Sequence, residues 1–434
     1  MNETKVRVGV SKGQSDIHLC PGQNLYTGIK KFEEEFNEFN SLEEDVLNVA
    51  AGVFGTDLSI PRYEREHFIR NINITIEVVN YHAFDRVKQM LENALHLVSK
   101  DNWTITFIQK AGLPVSDFEW KNTTGAVLLF SGGLDSMCAA SELIRKDENL
   151  VLVSHNTPGN HVVDKCQRDV HELLEKHYSK TIKHIHVKVY GRNQGEYLFP
   201  KDDGRENTQR TRSFLFLSLA ALITRRSGFN KVLFMGENGQ FAIHLPLNQA
   251  RVGPFSTHTA DPEFVLQTQD IFKILLGNEH FEIQNPFLYK TKGEVFSLLP
   301  KELQNEAKVS ASCWMISRIE GNKHCGYCIP CISRRIATEF NGVKFKEYET
   351  DIFKIDVTKL PDTKDQKRNL TDYLEFVSRF KEVNQANKRD ILNEFPELYN
   401  LTLDTDQAID MYRRVSEQSF QVFQKYPKVI KLIG

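Results

Sequence analysis

Residues 126–136 read Ala126-Val127-Leu128-Leu129-Phe130-Ser131-Gly132-Gly133-Leu134-Asp135-Ser136. Five apolar residues form a short buried strand, Ser-Gly-Gly a tight turn, and Met137 to Arg145 a helix that offers Cys138, Leu143 and Ile144 to a core. A strand that turns through two glycines into a helix start is a phosphate site. Glycine lets backbone N–H groups approach an anion, and the helix N-terminus adds partial positive charge. Ser131 and Ser136 supply hydroxyl donors; Asp135, acceptor-only when ionised, faces Mg²⁺ in such a setting. No Gly-Lys-Ser/Thr follows, so this is not a Walker A loop, and the G-x-G-x-x-G spacing of dinucleotide sites is absent.

Downstream the pattern alternates. Leu150 to Ser154, Ile182 to Tyr190 and Lys231 to Met235 read as strands, Val163 to His177 and Arg212 to Arg226 as helices. Short apolar strands between helices predict an α/β fold, a doubly wound parallel sheet covered on both faces. Ligands of such sheets bind at the carboxyl ends of strands, so Ser131 and Gly236 are expected to share one crevice. Arg212, at a helix start, has the guanidinium fork that pairs with phosphate oxygens. Lys292, at the start of another helix after Pro286, is a second candidate for a phosphate. His161, His184 and His186 read as exposed or hydrogen-bonded rather than catalytic.

Cys313 and then Cys325-Gly326-Tyr327-Cys328-Ile329-Pro330-Cys331 cluster four of the seven cysteines. Four thiolates suit tetrahedral Zn²⁺ in a closed structural site. An iron–sulfur cluster draws on the same ligands, a redox C-x-x-C pair is a third reading, and spacing alone does not choose among them. His324 is a spare ligand; Cys20, Cys138 and Cys166 stand apart as plain thiols.

The chain has 434 residues and a net charge of −2, enough for two or three domains and without the basic field of a nucleic-acid binder. No secretory or membrane-spanning run is visible and Met1 to Lys5 carries no targeting pattern, so a cytoplasmic protein is expected. Residues 1–118 read as an N-terminal α+β domain, with strands at Val6 to Val10, Ile72 to Val78 and Trp103 to Ile108 and helices at Leu42 to Val53 and Arg86 to Val98. Leu113 to Asp117 reads as its exit linker. Glu33-Glu34-Glu35 and Glu43-Glu44-Asp45 read as solvated faces. Residues 124–345 carry the phosphate turn and the cysteines. Residues 346–434 form a mainly helical extension, with a final strand at Asp351 to Val357 and apolar stripes at Leu374, Phe376, Val377, Phe380 and at Met411, Val415, Phe420, Phe423.

Ser-Gly-Gly-Leu-Asp-Ser after a buried strand resembles the PP-loop of ATP pyrophosphatases, the adenine nucleotide alpha hydrolase-like fold. With Arg212, Gly236, Lys292 and the four cysteines in this order, residues 124 to 340 resemble QueC, the 7-cyano-7-deazaguanine synthase family. QueC adenylates 7-carboxy-7-deazaguanine, makes the amide with ammonia and dehydrates it to the nitrile with a second ATP. The resemblance implies that Ser131, Gly132, Gly133, Leu134, Asp135, Ser136 and Gly236 hold ATP and Mg²⁺. It further implies that Asp135, Ser136, Arg212 and Lys292 serve catalysis and that Cys313, Cys325, Cys328 and Cys331 bind Zn²⁺. Two departures stand out. Where the family has an Asp and a Tyr-Pro-Asp-Cys-Arg-like stretch after Gly-x-Asn, this chain has Gly239-Gln240-Phe241-Ala242-Ile243-His244-Leu245-Pro246, so base recognition is altered or relocated. The N-terminal domain and long tail are additions that look like the QatC branch, the QueC-like component of a bacterial four-gene antiviral system.

The resemblance implies an adenylating ligase acting on a deazaguanine-type carboxylate in phage defence; the added domains lead us to expect a protein partner from the same operon, whose amine takes the deazaguanine, while the near-neutral charge and the lack of an apolar span count against nucleic acid and membrane. Two other readings stay open. A tRNA-modifying PP-loop enzyme would bind RNA with steep salt dependence, and a non-catalytic nucleotide-binding subunit of a defence complex would release no pyrophosphate.

Overall fold

The computed structural model describes the chain except residues 1–2, 12, 38, 63–67, 114–119, 122, 202–203, 235–236, 248–258, 320, 322–323, 347, 385 and 433–434. The N-terminal unit runs β1 (Glu3–Val8), β2 (Ile17–Leu19), β3 (Leu25–Tyr26), α1 (Ile29–Phe36), α2 (Ser41–Ser59), β4 (Asn71–Val78), α3 (Tyr81–Ser99) and β5 (Asn102–Gln109). The sequence pattern suggests α+β here, but the strands form a sheet in the order β2-β1-β4-β5 with every pairing parallel, so the unit is itself α/β. The physical reason is α3. Its stripe of Phe84, Val87, Leu91, Leu95 and Val98 is buried, which makes it a crossover between β4 and β5 rather than a separate layer. Most of the expected linker, 114–117, lies outside the described residues.

The central sheet follows: β6 (Ala126–Leu129), α4 (Leu134–Arg145), β7 (Leu150–Asn156), α5 (His161–Tyr178), β8 (Lys183–Lys188), β9 (Tyr190–Gly191), α6 (Arg212–Ser227), β10 (Lys231–Leu233), α7 (Gly239–Ile243), α8 (Pro262–Leu276) and β11 (Glu282–Gln284). Its order is β11-β10-β6-β7-β8, all parallel. Alternate residues serve opposite faces. Val127, Leu129, Val151 and Val153 share a core with α6, and Ala126, Leu128, Phe130 and Leu152 share another with α4. β6 lies between β10 and β7, so the order reverses beside it and the phosphate turn sits at the switch point. The three-residue β11, Glu-Ile-Gln, has no apolar run to betray it in sequence.

The chain ends with α9 (Lys292–Ser297), α10 (Lys301–Glu306), α11 (Ile329–Phe340), α12 (Asp365–Arg379), α13 (Lys388–Glu394), α14 (Thr405–Phe423) and α15 (Pro427–Ile430). The strand expected at Asp351 to Val357 is absent; the segment turns, because Ile352 and Phe353 are buried in the core of the tail, with Phe353 ring-to-ring against Phe423 and Tyr426. Both stripes of the tail pack in that core together with Ile329, Ile332 and Ile336 of α11. No helix among the described residues is long and apolar enough to cross a membrane.

Both additions brace the centre of the molecule. Asp57 of α2, fully buried, accepts the Thr211 backbone N–H (2.9 Å) and hydroxyl (3.0 Å), one residue before Arg212, and is ion-paired to Arg70. Gln418 of α14 accepts from the Thr291 hydroxyl at 2.9 Å, one residue before Lys292. Of the acidic runs expected in solvent, Glu33 and Glu34 are exposed and Glu35 half-buried, but Glu43 and Asp45 are buried. Glu43 closes the capping box of α2 with Asn40 and pairs with Arg226; Asp45 accepts the N–H groups of Val79 and Asn80.

Candidate active site

The turn after β6 is closed by its own hydroxyls. Ser131 Oγ accepts from Gly133 N (3.3 Å) and lies 3.2 Å from Ser136 Oγ, which donates to Gly133 O (3.1 Å). Gly132 has φ +73°, and a Cβ there would lie 2.7 Å from Gln167 N, so only glycine fits. No side chain caps the N-terminus of α4, which leaves its N–H groups to an anion. Leu134 contributes backbone alone, its side chain being buried. Gly236 lies outside the described residues.

Asp135 and Lys292, far apart in sequence, meet. Lys292 Nζ is 2.7 Å from Asp135 Oδ1, and Asn238 donates to Oδ2 from its side chain (2.8 Å) and backbone (3.3 Å). Both partners of the ion pair are buried, so Lys292, expected to face a phosphate, here neutralises the carboxylate at the start of α4.

A cavity of about 540 Å³ opens at the carboxyl ends of β6, β7 and β10, lined by Ser131, His155, Gln167, Arg212, Glu237 and Trp314 among others. Arg212, on the first residue of α6, lies over the Phe216 ring at 4.9 Å with its Nε unpartnered. Three acceptors that the sequence did not single out also line it. His155 Nε2 bonds to Val189 O at 3.0 Å, which leaves Nδ1 without a partner. Burial, and secondarily the charge of Arg212, push its pKa down to about 3, so the ring is neutral. Gln167 Oε1 is buried and unpartnered. The Glu237 carboxyl is pushed up to about 7, first by burial and then by the charge of Asp135, with Lys292 opposing. Glu237 is the middle residue of Gly-x-Asn. The Asn238 side chain, capping α7 by accepting from Gln240 N, was the local sign that this loop turns toward the crevice.

The four cysteine sulfurs lie within 4.8 Å of one another and are buried. Cys325–Cys331 and Cys313–Cys328 are 3.8 and 3.9 Å apart. One ion bonded to four thiolates at about 2.3 Å sets sulfurs about 3.8 Å apart, so the cage fits a single tetrahedral ion, and a cluster of several irons would spread the sulfurs further. No disulfide joins them. The thiols of Cys325, Cys328 and Cys331 pull Cys313 well below the usual thiol range, while Cys328 and Cys331 are driven up, first by Cys313 and then by Cys325. Backbone N–H groups of Met315 and Cys325 point at Cys313 Sγ, both at 3.3 Å. His324 is not in the cage; its Nε2 accepts from Ser312 N.

The cage and the phosphate turn are one construction. Ala311, two residues before Cys313, donates its N–H to Gly132 O at 2.9 Å. Buried Arg334, three residues after Cys331, holds the hydroxyls of Ser310 and Ser312, each at 2.9 Å, and the Ala307 carbonyl at 2.7 Å. Arg334 is a positioning residue that neither periodicity nor spacing marked.

Comparison with known proteins covers the same region. A family model described as "Queuosine biosynthesis protein QueC" matches residues 125–342. The 7-cyano-7-deazaguanine synthase of Sulfolobus acidocaldarius is 26% identical over 245 residues, 53% of this chain and 49% of that protein. That of Saccharolobus solfataricus is 24% identical over 232 residues, 50% and 46% of the two chains. The 7-cyano-7-deazaguanine synthase 2 of Sulfurisphaera tokodaii is 24% identical over 244 residues, 53% and 49%. The chain spans about half the length of the curated relatives it matches. The match takes in the phosphate turn, the reversing parallel sheet and all four cysteines, half of the chain: this protein belongs to the QueC family.

Proposed function

We propose that the chain is an ATP-dependent adenylating ligase of a 7-deazaguanine-type carboxylate. The observation that carries this reading is the Ser-Gly-Gly turn opening beside one cavity lined by His155, Gln167 and Glu237, the first two with a buried ring nitrogen and a buried amide oxygen that lack partners. A substrate carboxylate oxygen bonds to the α-phosphorus of ATP, the bond from that phosphorus to the bridging oxygen breaks, and pyrophosphate leaves with the electron pair. An amine nitrogen then bonds to the acyl carbon, loses its proton and expels AMP. The protein's part is positioning and charge. The turn's N–H groups and Arg212 hold phosphate oxygens, and Ser131 and Ser136 shape the turn. Asp135 would offer Mg²⁺ a hard oxygen ligand at the turn, and the ion would neutralise phosphate charge; Lys292 and Asn238 hold the same carboxylate in place. Zn²⁺ in the cysteine cage would be structural, fixing the Ala311 strut against the turn.

Glu237 is proposed to replace the family's missing acids, accepting the N–H donors of a guanine-type edge. A carboxylate that must be ionised to accept works above about pH 7. Glu237→Gln is therefore expected to raise KM for the base by roughly 10- to 100-fold, the worth of a charged hydrogen bond, with kcat little changed. The wild-type rise of kcat/KM through pH 7 should be flat in the variant. An unchanged KM would remove Glu237 from base recognition.

The reading extends to a place beside QatC in bacterial phage defence, with the amine supplied by a partner protein. Its supports are the added N- and C-terminal segments and Trp314, exposed at the cavity, where a chain end has room to approach. Intact masses of the neighbouring gene products, co-expressed in cells that make the deazaguanine precursor, test it. One partner is expected to gain the mass of the acyl-deazaguanine with wild-type protein and not with Asp135→Asn. Unmodified partners alongside free amide or nitrile base would assign ammonia as the nucleophile.

A further inference from the structure

The N-terminal sheet has a crevice of its own, of about 490 Å³, and it is not the ATP cavity. Residues at or just beyond the carboxyl ends of all four parallel strands line it: Val8 and Gly9 at β1, Pro21 after β2, Glu77 in β4 and Lys110 after β5. β1 is flanked by β2 on one side and β4 on the other, so strand order reverses there, the place where open parallel sheets bind ligands. The far wall, Arg192 and Gln194, comes from the segment after β9, which pairs with β3.

Three features give the crevice a chemistry. Asn48 of α2 lines it, is 6% exposed, and its Oδ1 has no hydrogen-bond partner. A buried amide oxygen without a partner is uncommon and is relieved by a ligand donor. The N-terminus of α1 also opens here through Thr27, Gly28 and Ile29, with no side-chain cap and no acidic residue in its first turn. Lys30 on that turn has no ion-pair partner among the described residues, whereas Lys110 is engaged by Glu44. The main acid of the crevice is already satisfied: Glu77 accepts the N–H groups of Val10 (3.0 Å) and Ser11 (3.1 Å) and pairs with Arg7 at 3.2 Å. What remains open is a positive helix end, an unpaired ammonium and one orphaned amide oxygen, with Arg192 nearby on Gln194 (3.3 Å), against Glu33.

We propose that this crevice is a second small-molecule site, for a phosphate-bearing metabolite of up to nucleotide size, with the phosphate at the start of α1 beside Lys30 and a hydroxyl or amine of its body donating to Asn48. A ligand here would touch both the added unit and the segment that leads from the central sheet toward Arg212, and would lock the two together.

The full-length protein titrated with ribose 5-phosphate, and separately with inorganic phosphate, tests this by calorimetry and thermal unfolding. Ribose 5-phosphate is expected to bind and raise Tm, and inorganic phosphate to bind more weakly. Lys30→Glu should weaken ribose 5-phosphate at least 10-fold while ATP-dependent pyrophosphate release stays at the wild-type rate. Asn48→Leu should also weaken it, and without ligand should unfold no earlier than wild type, since it removes an amide oxygen that has no protein partner. Two results would overturn the proposal: no binding of either probe, or equal binding to wild type, Lys30→Glu and Asn48→Leu, which would place the phosphate at the turn after β6.

Discussion

Asp135→Asn is expected to lower pyrophosphate release by roughly 10²- to 10³-fold, the range for removing one group that stabilises transition-state charge, and to leave the unfolding transition cooperative. The amide keeps the shape and one oxygen, but it loses the charge that faces Lys292 and that is proposed for Mg²⁺, so some stability is lost with it; the remaining oxygen still accepts from the ammonium. Asp135→Ala is a different experiment. Asp135 is 4% and Lys292 8% exposed, so the alanine strands an ammonium in the interior, which typically costs about 3–5 kcal/mol. The double variant Asp135→Ala/Lys292→Met should recover most of the lost stability in thermal unfolding while staying inactive. Activity restored together with stability would show that the pair is architectural and that the chemistry lies elsewhere.

Cys328→Ser is expected to drop the metal content from about one Zn²⁺ per chain to near zero, and to lower Tm by roughly 5 °C, as a loss of about 5 kcal/mol implies for a chain of this size. The cage is fully thiolate and buried, and its strut is the hydrogen bond from Ala311 to Gly132. Loss of the ion should therefore also loosen the phosphate turn and raise KM for ATP. Metal analysis of the purified protein with calorimetry of both forms measures this. Zinc-free wild-type protein as stable as the metal-loaded form would remove the structural role, and iron with sulfide would change the metal.

The sheet was legible because β6 and β7 are buried on both faces and carry continuous apolar runs, and because Gly132 and Gly133 punctuate the first of them. The cysteine cluster was legible from the three-residue spacing of Cys325, Cys328 and Cys331 with Cys313 upstream, though not what it holds. The rest of the site was hidden for physical reasons. Lys292 and Asp135 are 157 residues apart, and nothing local marks them as a pair. His155 and Glu237 look like ordinary polar residues at strand ends; what distinguishes them is an unpartnered ring nitrogen and a desolvated carboxyl, properties of the folded surroundings. Glu43 and Asp45 misled for the converse reason. An acidic run at a helix start is usually solvated, but here it is covered by Arg226 on one side and by the loop after β4 on the other. The two additions, which invite explanation as docking surface, first of all hold Arg212 and Lys292 in place through Asp57–Thr211 and Gln418–Thr291.

The measurement that bears most directly on the proposed chemistry follows the phosphorus of ATP by ³¹P NMR while the purified, zinc-loaded protein is given Mg²⁺, an amine source and 7-carboxy-7-deazaguanine. AMP and pyrophosphate are expected in equal amounts, only when the carboxylate is present, and not with Asp135→Asn. ADP with inorganic phosphate, or turnover indifferent to the carboxylate, would contradict it.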